Sequence, residues 1–227
     1  MLLEAKHEES MRPPAATNSE QSAIRNPQSK IVIGLVGGIG SGKSLVAAAF
    51  AKHGGRVISG DVLGHEALRR PDIKQRIVER WGSRVLDRQG DIDRPSLGAI
   101  VFADPEERRK LEAIVHPYIK RRLAEEVAAA QNDSNVAVIV VDAAIMLEAG
   151  WSGACDRIVF VHAPREVRLQ RLAQQRNWTE KDVKAREEAQ MPLGEKRARS
   201  DAVIDNSGAA ERVQEQVEQF LLEWRVN

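Results

Sequence analysis

The hydrophobic residues of this sequence fall into short continuous runs, with little apolar–polar alternation. Such runs are typical of parallel strands that are buried on both faces of a sheet. Four runs, and a shorter fifth one, predict β-strands at Ile31–Val36, Val57–Ser59, Val136–Ala143, Arg157–Ala163 and Ala202–Asn206. The pattern therefore favours a sheet whose strands all lie in the interior of the protein.

Stretches with helical periodicity separate the predicted strands. The clearest of them are Ser44–His53, Asp104–Ala130, Pro164–Gln175 and Ala209–Trp224. Strands that alternate with helices favour an α/β fold, in which ligands bind at the carboxyl ends of the parallel strands. We predict a three-layer α/β/α fold with a five-stranded parallel sheet.

Two long segments do not fit a simple strand–helix alternation. Residues 62–135 have helical character throughout, and residues 166–200 are polar and rich in Arg, Gln and Glu. We interpret the first as a helical insertion and the second as a separate covering segment. The remaining core is expected to comprise residues 30–61, 136–165 and 201–227. Residues 1–29 show no sustained period and are expected to form a disordered tail.

Composition and charge narrow the range of functions. With 34 basic and 33 acidic residues the net charge is +1, so no bulk field recruits nucleic acid or an anionic membrane. The single cysteine, Cys155, excludes an internal disulfide and any multi-cysteine zinc site. No apolar run approaches the ~20 residues of a membrane span. We expect a cytoplasmic protein, a monomer or a weak homo-oligomer, that acts on small molecules.

A phosphate-binding sequence directly follows the first predicted strand. Gly37-x-x-x-x-Gly42-Lys43-Ser44 matches the pattern GxxxxGK[ST]. Glycines let backbone N–H groups curl around phosphate oxygens, the lysine reaches the β- and γ-phosphates, and the hydroxyl ligates Mg²⁺. The predicted nucleotide contacts are Gly38, Ile39, Gly40, Ser41, Gly42, Lys43, Ser44 and Leu45. The alternative is a glycine-rich turn that binds nothing.

The rest of the chain indicates which class of P-loop NTPase this is. The Asn-Lys-x-Asp sequence of GTP switches and the Ser-Gly-Gly signature of transporter ATPases do not occur. Small-molecule kinases therefore become the leading class.

Acidic residues stand at the ends of two predicted strands. Asp142 ends the third strand, where it would orient Mg²⁺; the alternative is that it caps the next helix. Asp61 follows the second strand, where it would accept the proton of a substrate hydroxyl; alternatively it caps a helix at Val62–Arg69. Glu148 lies six residues after Asp142, and we expect it to face solvent on the following helix.

Arginines are concentrated in the polar segment. Arg168, Arg171 and Arg176 fall on or near one helix. Guanidinium groups of a closing lid stabilise the charge that spreads over a transferring phosphoryl group. The alternative for any one of them is a solvated helix face with weak Glu–Arg pairs. We expect at least one of them to act as a lid arginine.

Taken together, these residues resemble the dephospho-coenzyme A kinase family. The resemblance covers about Lys30–Trp224 and rests on "GLVGGIGSGKS", "WGSRVLDRQGDIDRPSLGAIVFAD", "LEAIVHP" and "EKRARSDAVIDNSG". It implies a P-loop NTPase fold with a helical insertion that binds the acceptor and a lid over ATP. The reaction it implies is transfer from Mg-ATP to the ribose 3′-hydroxyl of dephospho-coenzyme A.

The resemblance also assigns roles to individual residues. It implies that Asp61 is the catalytic base, with Lys43 and Arg171 acting on the phosphates. Arg94 and His116 would belong to the substrate side. The alternative for His116 is that His116-Pro117 only fixes local helix geometry. On the last strand, Asn206 would lie near the nucleotide base.

Some positions depart from the family pattern. Ser59-Gly60-Asp61 stands where Asp-Ala-Asp is usual, and Ala144 begins a stretch where Pro-Leu-Leu-Phe-Glu is usual. Leu45 replaces a usual Thr, and Gln175 stands at the usual second lid arginine, with Arg176 one residue later. Two other hypotheses stay open: a kinase for a nucleoside or sugar acid, and a nucleotide-binding regulatory protein without activity.

Overall fold

A five-stranded parallel sheet lies at the centre of the computed structural model, which describes residues 29–224 and 226. The strands are β1 (Val32–Gly37), β2 (Gly55–Ser59), β3 (Val138–Asp142), β4 (Arg157–His162) and β5 (Ala202–Asp205). Their order across the sheet is β2-β3-β1-β4-β5, and every neighbouring pair is parallel. The predicted sheet is confirmed. Of the predicted tail, residues 1–28 lie outside the described residues.

Burial on both faces explains why the strands appear as continuous apolar runs. In β1, Val32 and Val36 pack into one hydrophobic cluster, and Ile33 and Leu35 pack into the other. The same division holds in β3 and β4. Because successive side chains point to opposite faces, a strand between two cores needs an apolar residue at every position.

Two helices cover one face of the sheet. They are α1 (Lys43–Lys52) and α9 (Ala210–Glu223), which contact each other and bury Phe50, Val213 and Val217 over β1, β3 and β4. The helix α1 begins directly at the phosphate-binding sequence. This face therefore holds the loop against the sheet.

Four helices between β2 and β3 contribute to the opposite face. They are α2 (Gly60–Arg69), α3 (Pro71–Trp81), α4 (Arg94–Ala103) and α5 (Pro105–Asn132). Their buried residues, including Leu63, Ile77 and Leu123, join the hydrophobic cluster on that face. The 28-residue helix α5 continues through Pro117. Apart from the first two residues of α2, these helices fall within the segment predicted to be a helical insertion.

Three further helices lie between β4 and β5. They are α6 (Arg165–Arg176), α7 (Glu180–Glu187) and α8 (Leu193–Ala198). Asn177, at φ 53°, ends α6, and Thr179 and Asp182 form a reciprocal capping box that starts α7. We call residues 166–200 the lid segment, after the sequence prediction. No helix within 29–224 is long and apolar enough to cross a bilayer.

Candidate functional site

A cavity of about 460 Å³ opens at the carboxyl ends of the strands. It brings together residues that are far apart in the sequence. The lining residues are Ile39, Gly40, Gly42, Lys43, Ser44, Leu45, Asp61, Asp142, Ala144, Arg171, Leu172, Gln175, Arg176 and Asn206. Ligands of open α/β sheets bind at this edge, so this cavity is the candidate active site.

The loop between β1 and α1 has the backbone geometry of a phosphate cradle. Gly40 and Gly42 have φ values of 76° and 85°, which favour glycine. A methyl group on Gly42 would lie 2.1 Å from Nδ2 of Asn206. Gly42 is also the N-cap of α1, and no side chain caps that helix. The first N–H groups of α1 therefore remain available to an anion.

Lys43 lies across the mouth of the loop. Its Nζ donates to the carbonyl oxygens of Gly37 and Gly38, each at 3.4 Å. Burial lowers the pKa of Lys43, while Asp142 and Asp61 act in the opposite direction. The two carboxylates are thus close enough to interact electrostatically with this ammonium group. A bound phosphate would supply further negative charge that favours the charged lysine.

Ser44 and Asp142 face each other beside Lys43. The Ser44 hydroxyl donates to Oδ2 of Asp142 over 3.4 Å. Burial raises the pKa of Asp142, and the neighbouring Asp61 raises it further. Asp142 does not cap a helix, because turn residues follow it and the next helical residues are Ser152–Ala154. The capping alternative is therefore wrong.

Asp61 lies in the first turn of α2. The N-cap of this helix is Ser59, whose Oγ accepts from the N–H of Val62 at 3.3 Å. The alternative that Asp61 is the N-cap is wrong, and its exposed carboxylate lines the cavity instead. The Ser59 that departs from the family pattern thus serves as the helix cap.

His65 is a neighbour of Asp61 that the sequence interpretation missed. It follows Asp61 by four residues in α2, so both lie on one helix face. Burial lowers the pKa of His65, and the Arg94 guanidinium lowers it further, whereas Asp61 raises it. Asp61, His65 and Arg94 therefore form one electrostatic cluster beside the cavity. The spacing of four residues between Asp61 and His65 was the sequence signal that could have identified this neighbour.

Two predicted substrate residues do not line the cavity. Arg94 is exposed at the start of α4, within electrostatic range of His65. His116 packs edge-on against Trp151, with ring centroids 5.1 Å apart, and burial lowers its pKa. Trp151 belongs to the hydrophobic core. The substrate roles of Arg94 and His116 stay predictions, and the packing of His116 favours its structural alternative.

The three arginines of α6 have different surroundings. Arg168 is buried, with Nη1 donating to Oε1 of Glu187 at 2.6 Å and to the Ile39 carbonyl at 3.1 Å. The solvated-face alternative is therefore wrong for Arg168. Arg171 donates to the backbone carbonyl of Asn206 at 3.0 Å and lines the cavity. Arg176 also lines the cavity, and its charge lowers the pKa of Lys43.

The remaining residues predicted to contact the nucleotide are Gly38, Ser41 and Asn206, which pack within or against the phosphate loop. Asn206 is buried and donates from Nδ2 to the Ser41 carbonyl at 2.8 Å. Ser41 is itself fully buried. Gly38 lies against Arg168, because a methyl group there would be 2.9 Å from Nη1 of that arginine. Asn206 thus joins β5 to the phosphate loop, while Gly38 and Ser41 do not line the cavity.

The sequence interpretation did not single out Lys196, a buried lysine. Lys196 is fully buried, and its Nζ lies 2.8 Å from Oε1 of Glu148. Glu148 was expected to face solvent on a helix. It lies instead in a turn segment after β3 and is held by Lys196 and by the N–H of Met191 at 3.0 Å. The predicted helix at Glu148 is wrong, whereas the residue is exposed as expected, and sequence spacing did not reveal its distant partner Lys196.

Comparison with known proteins gives a consistent result. The family model for dephospho-CoA kinase matches residues 31–212. A dephospho-CoA kinase from Geobacillus kaustophilus is 38% identical over 195 residues, which cover 86% of this chain and 96% of that protein. One from Geobacter metallireducens is 42% identical over 188 residues, covering 82% and 93%.

A solved structure shows the same fold. A crystal structure from Thermus thermophilus matches with a TM-score of 0.73 and 34% identity, and the match covers 86% of this chain and 98% of that one. The residues of the cavity, the topology of the sheet and these similarities lead to one conclusion: the chain belongs to the dephospho-CoA kinase family.

Proposed function

We propose that this protein transfers the γ-phosphoryl group of ATP to the ribose 3′-hydroxyl of dephospho-coenzyme A, giving coenzyme A and ADP. One observation carries the proposal beyond family membership. The phosphate loop, Lys43, Asp142 and Asp61 line a single cavity. That cavity holds both a cradle for the donor phosphates and an exposed carboxylate that a hydroxyl acceptor requires.

The nucleotide side binds the donor through backbone groups. The N–H groups of the loop and of the first turn of α1 surround the phosphates, and Lys43 lies across them. Asn206 holds the loop in place through Ser41. This arrangement would hold the γ-phosphate next to Lys43.

Ser44 and Asp142 are the residues that would hold Mg²⁺. Their hydroxyl and carboxylate oxygens face each other at 3.4 Å. Hard oxygen donors of this kind suit Mg²⁺, which is usually held by one or two protein ligands together with phosphate oxygens and water. When bound there, the ion would neutralise charge on the β- and γ-phosphates.

Asp61 is the proposed catalytic base. The acceptor hydroxyl oxygen attacks the γ-phosphorus in line, and the bond from that phosphorus to the β-bridging oxygen breaks. The hydroxyl proton passes to the Asp61 carboxylate, and ADP leaves with the electron pair of the broken bond. Asp61 suits this role because it faces the cavity and lies within electrostatic range of Lys43.

The lid segment contributes positive charge from the opposite side. Arg171 is held by the Asn206 carbonyl, so we assign to it both support of the loop and contact with the phosphates. Arg176 is exposed at the cavity, with its guanidinium 5.0 Å from the centroid of the Trp178 ring, and we assign to it contact with the transferring charge. We propose that Arg176 takes the role of the family's second lid arginine, whose usual position is occupied by Gln175.

The acceptor side is formed by the start of α2 and by the insertion. We propose that the cluster of Asp61, His65 and Arg94 faces the acceptor, because it combines a base with a cation suited to an anionic substrate. His116 would act indirectly, by holding α5 against Trp151. A cytoplasmic location and a monomeric or weakly associated state remain predictions.

ADP release with and without dephospho-coenzyme A tests the proposed function. We expect release to depend on the acceptor, and a phosphorylated product to appear in equal amount. A panel of nucleosides and sugar acids serves as the control for acceptor identity. Activity with one of these alone would make the chain a different small-molecule kinase. ATP binding without transfer to any acceptor would favour a regulatory role.

A further inference from the structure

Lys196 is one of two charged side chains that are buried in the described part of the chain, the other being Arg168. It lies in α8, at the end of the lid segment where the chain returns to the sheet. A buried ammonium group is costly unless every proton has a partner. Its surroundings therefore show which parts of the molecule it holds together.

Each proton of the Lys196 ammonium group has an acceptor. Nζ donates to the Ala144 carbonyl at 2.7 Å and to Oε1 of Gln190 at 3.0 Å, and it lies 2.8 Å from Oε1 of Glu148. An ammonium group has three donors, so its capacity is filled. Ala144 and Glu148 come from the segment after β3, and Gln190 comes from the lid segment. Lys196 thus joins these two segments in the interior.

The segment held by Lys196 touches the residue next to Asp61. Ala144 lines the cavity, and its neighbour Ala143 packs against Gly60. A methyl group on Gly60 would lie only 2.9 Å from Cβ of Ala143. A displacement of the segment after β3 would therefore be passed to Gly60 and on to Asp61.

The order of the strands shows which parts of the cavity lie next to this contact. In the sheet, β3 lies between β2, which leads to Asp61, and β1, which leads to the phosphate loop. The N–H of Ser41 and the helix α1 hold the loop through separate hydrogen bonds. The Ala144 contact of Lys196 therefore lies next to the strand that leads to the proposed base, while Asn206 and Arg168 hold the phosphate loop itself. The charge of Lys196 also reaches Lys43, whose pKa it lowers.

We propose that Lys196 is a positioning residue, which holds the Ala144 carbonyl so that Gly60 and Asp61 keep the geometry needed at the acceptor hydroxyl. This inference rests on the proposed role of Asp61. Lys196 itself is closed off from solvent, because its side chain has no exposed surface and all its protons are engaged.

The first test replaces the ammonium group by a methyl thioether of similar length. We expect Lys196→Met to lower kcat/KM for dephospho-coenzyme A about 30-fold or more, as displacement of a reacting group does. ATP affinity, measured by calorimetry, should change less than about threefold. An equal loss of both would contradict the proposal, because it would indicate general damage to the fold.

A double variant separates positioning from stability. Lys196→Met leaves the Glu148 carboxylate, the Gln190 amide oxygen and the Ala144 carbonyl without their shared cation, so the thermal midpoint should fall by roughly 5 °C. Adding Glu148→Gln removes the unpaired charge and should restore much of that midpoint, while the amide oxygen can still accept from Met191. The acceptor kcat/KM should stay low. Recovery of both properties would overturn the proposal, since charge balance alone would then matter.

Combining Lys196→Met with Asp61→Asn tests whether Lys196 affects catalysis through Asp61. If Lys196 acts through Asp61, Lys196→Met should cost less than about threefold in acceptor kcat/KM when Asp61 is already replaced. An undiminished 30-fold loss, of the order expected above, would contradict this route. If the Lys196→Met protein does not fold, the double variant Lys196→Met, Glu148→Gln replaces it. Its acceptor kcat/KM and ATP affinity are then compared with those of the Glu148→Gln single variant.

A matched control lies on the same helix. Glu195 of α8 and Arg199, which caps the end of that helix, form an exposed i,i+4 ion pair. Arg199→Met should leave acceptor kcat/KM and the thermal midpoint nearly unchanged, because exposed pairs contribute little. Wild-type protein without acceptor-dependent ADP release would refute the proposed function. An active wild type with an unaffected Lys196→Met variant would refute only the positioning role.

Discussion

The nucleotide side and the acceptor side of the cavity are built in different ways. On the nucleotide side, one contiguous stretch, residues 37–45, supplies backbone N–H groups and Lys43. On the proposed acceptor side, Asp61 and Ala144 come from the ends of β2 and β3, and Arg94 of the insertion lies outside the cavity lining, within electrostatic range of His65. A contiguous site is encoded locally, whereas an assembled site depends on packing between distant segments.

The difference affects how each side should respond to mutation. Backbone groups are unaffected by most side-chain changes, so the nucleotide side should be sensitive at Lys43, the metal ligands, the glycines and the lid arginines, and insensitive at most other positions. The acceptor side depends on one carboxylate whose position is set by its neighbours. Variants on each side, measured with both substrates, can therefore test the comparison.

The largest effect is expected from Lys43→Ala. Loss of the ammonium group removes charge that stabilises the transferring phosphoryl group, so kcat/KM for ATP should fall about 10³-fold. Steady-state ADP release and nucleotide binding provide the measurements. Lys52→Ala, at the exposed end of the same helix, is the matched control. A loss below about tenfold would contradict the central role of Lys43.

Asp61→Asn should have the next largest effect. The amide cannot accept the hydroxyl proton, so kcat should fall roughly 10²-fold while ATP affinity stays nearly constant. Turnover and calorimetry measure the two quantities. Asp72→Asn, at the exposed start of α3, is the control. Near-normal turnover of the Asp61 variant would remove the residue from the base role.

Arg176→Met tests the lid. Removal of a cation that faces the transferring charge should lower kcat about 30-fold, with a smaller change in KM for ATP. Gln175→Ala, one residue before it at the same cavity, should change kcat less than about threefold because the amide carries no charge. If Gln175 proved the more sensitive position, the assignment of Arg176 would be wrong.

Asp142→Asn should change the response to Mg²⁺. Loss of the carboxylate should raise the half-saturating Mg²⁺ concentration about tenfold. Because burial and Asp61 raise the pKa of Asp142, the wild-type Mg²⁺ requirement should increase as the pH falls toward that pKa. The Asn variant should lack this increase. Mg²⁺ titrations at several pH values measure both effects, and an unaltered requirement would exclude Asp142 as a ligand.

The smallest effect is expected from Leu45→Thr. The Leu45 side chain is 42% exposed at the end of the phosphate loop, and the loop binds through its backbone. The substitution should therefore change kcat/KM for ATP less than about threefold. Steady-state kinetics would show this, and a larger loss would mean that side chains shape the nucleotide side more than we infer.

Much of the fold was predictable from local patterns. Continuous apolar runs predicted all five strands of the sheet to within two residues at each end, because strands between two cores are apolar throughout. The helix start at Asp61 was less clear. Both Ser59 and Asp61 are good capping residues, and only the hydrogen bond from Val62 to Ser59 identifies the cap.

The candidate site was predicted in part. The loop residues, Asp61 and Asp142 were found because each lies at or just after the carboxyl end of a strand, where local sequence fixes position. Arg168 and Lys196 were not recognised as buried, because a basic residue in a polar helix usually faces solvent. Their burial follows from partners that are distant in the sequence, Glu187 and Glu148.

The sequence by itself determined the strands, the phosphate loop and the family, because these depend on spacing and residue type within short stretches. Only the tertiary structure decided the acceptor side. It placed Ala143 against Gly60, brought Arg94 within electrostatic range of His65, and buried Lys196 among three acceptors. The physical reason is that a buried charge is stable only with partners, and the fold brings those partners from distant parts of the chain.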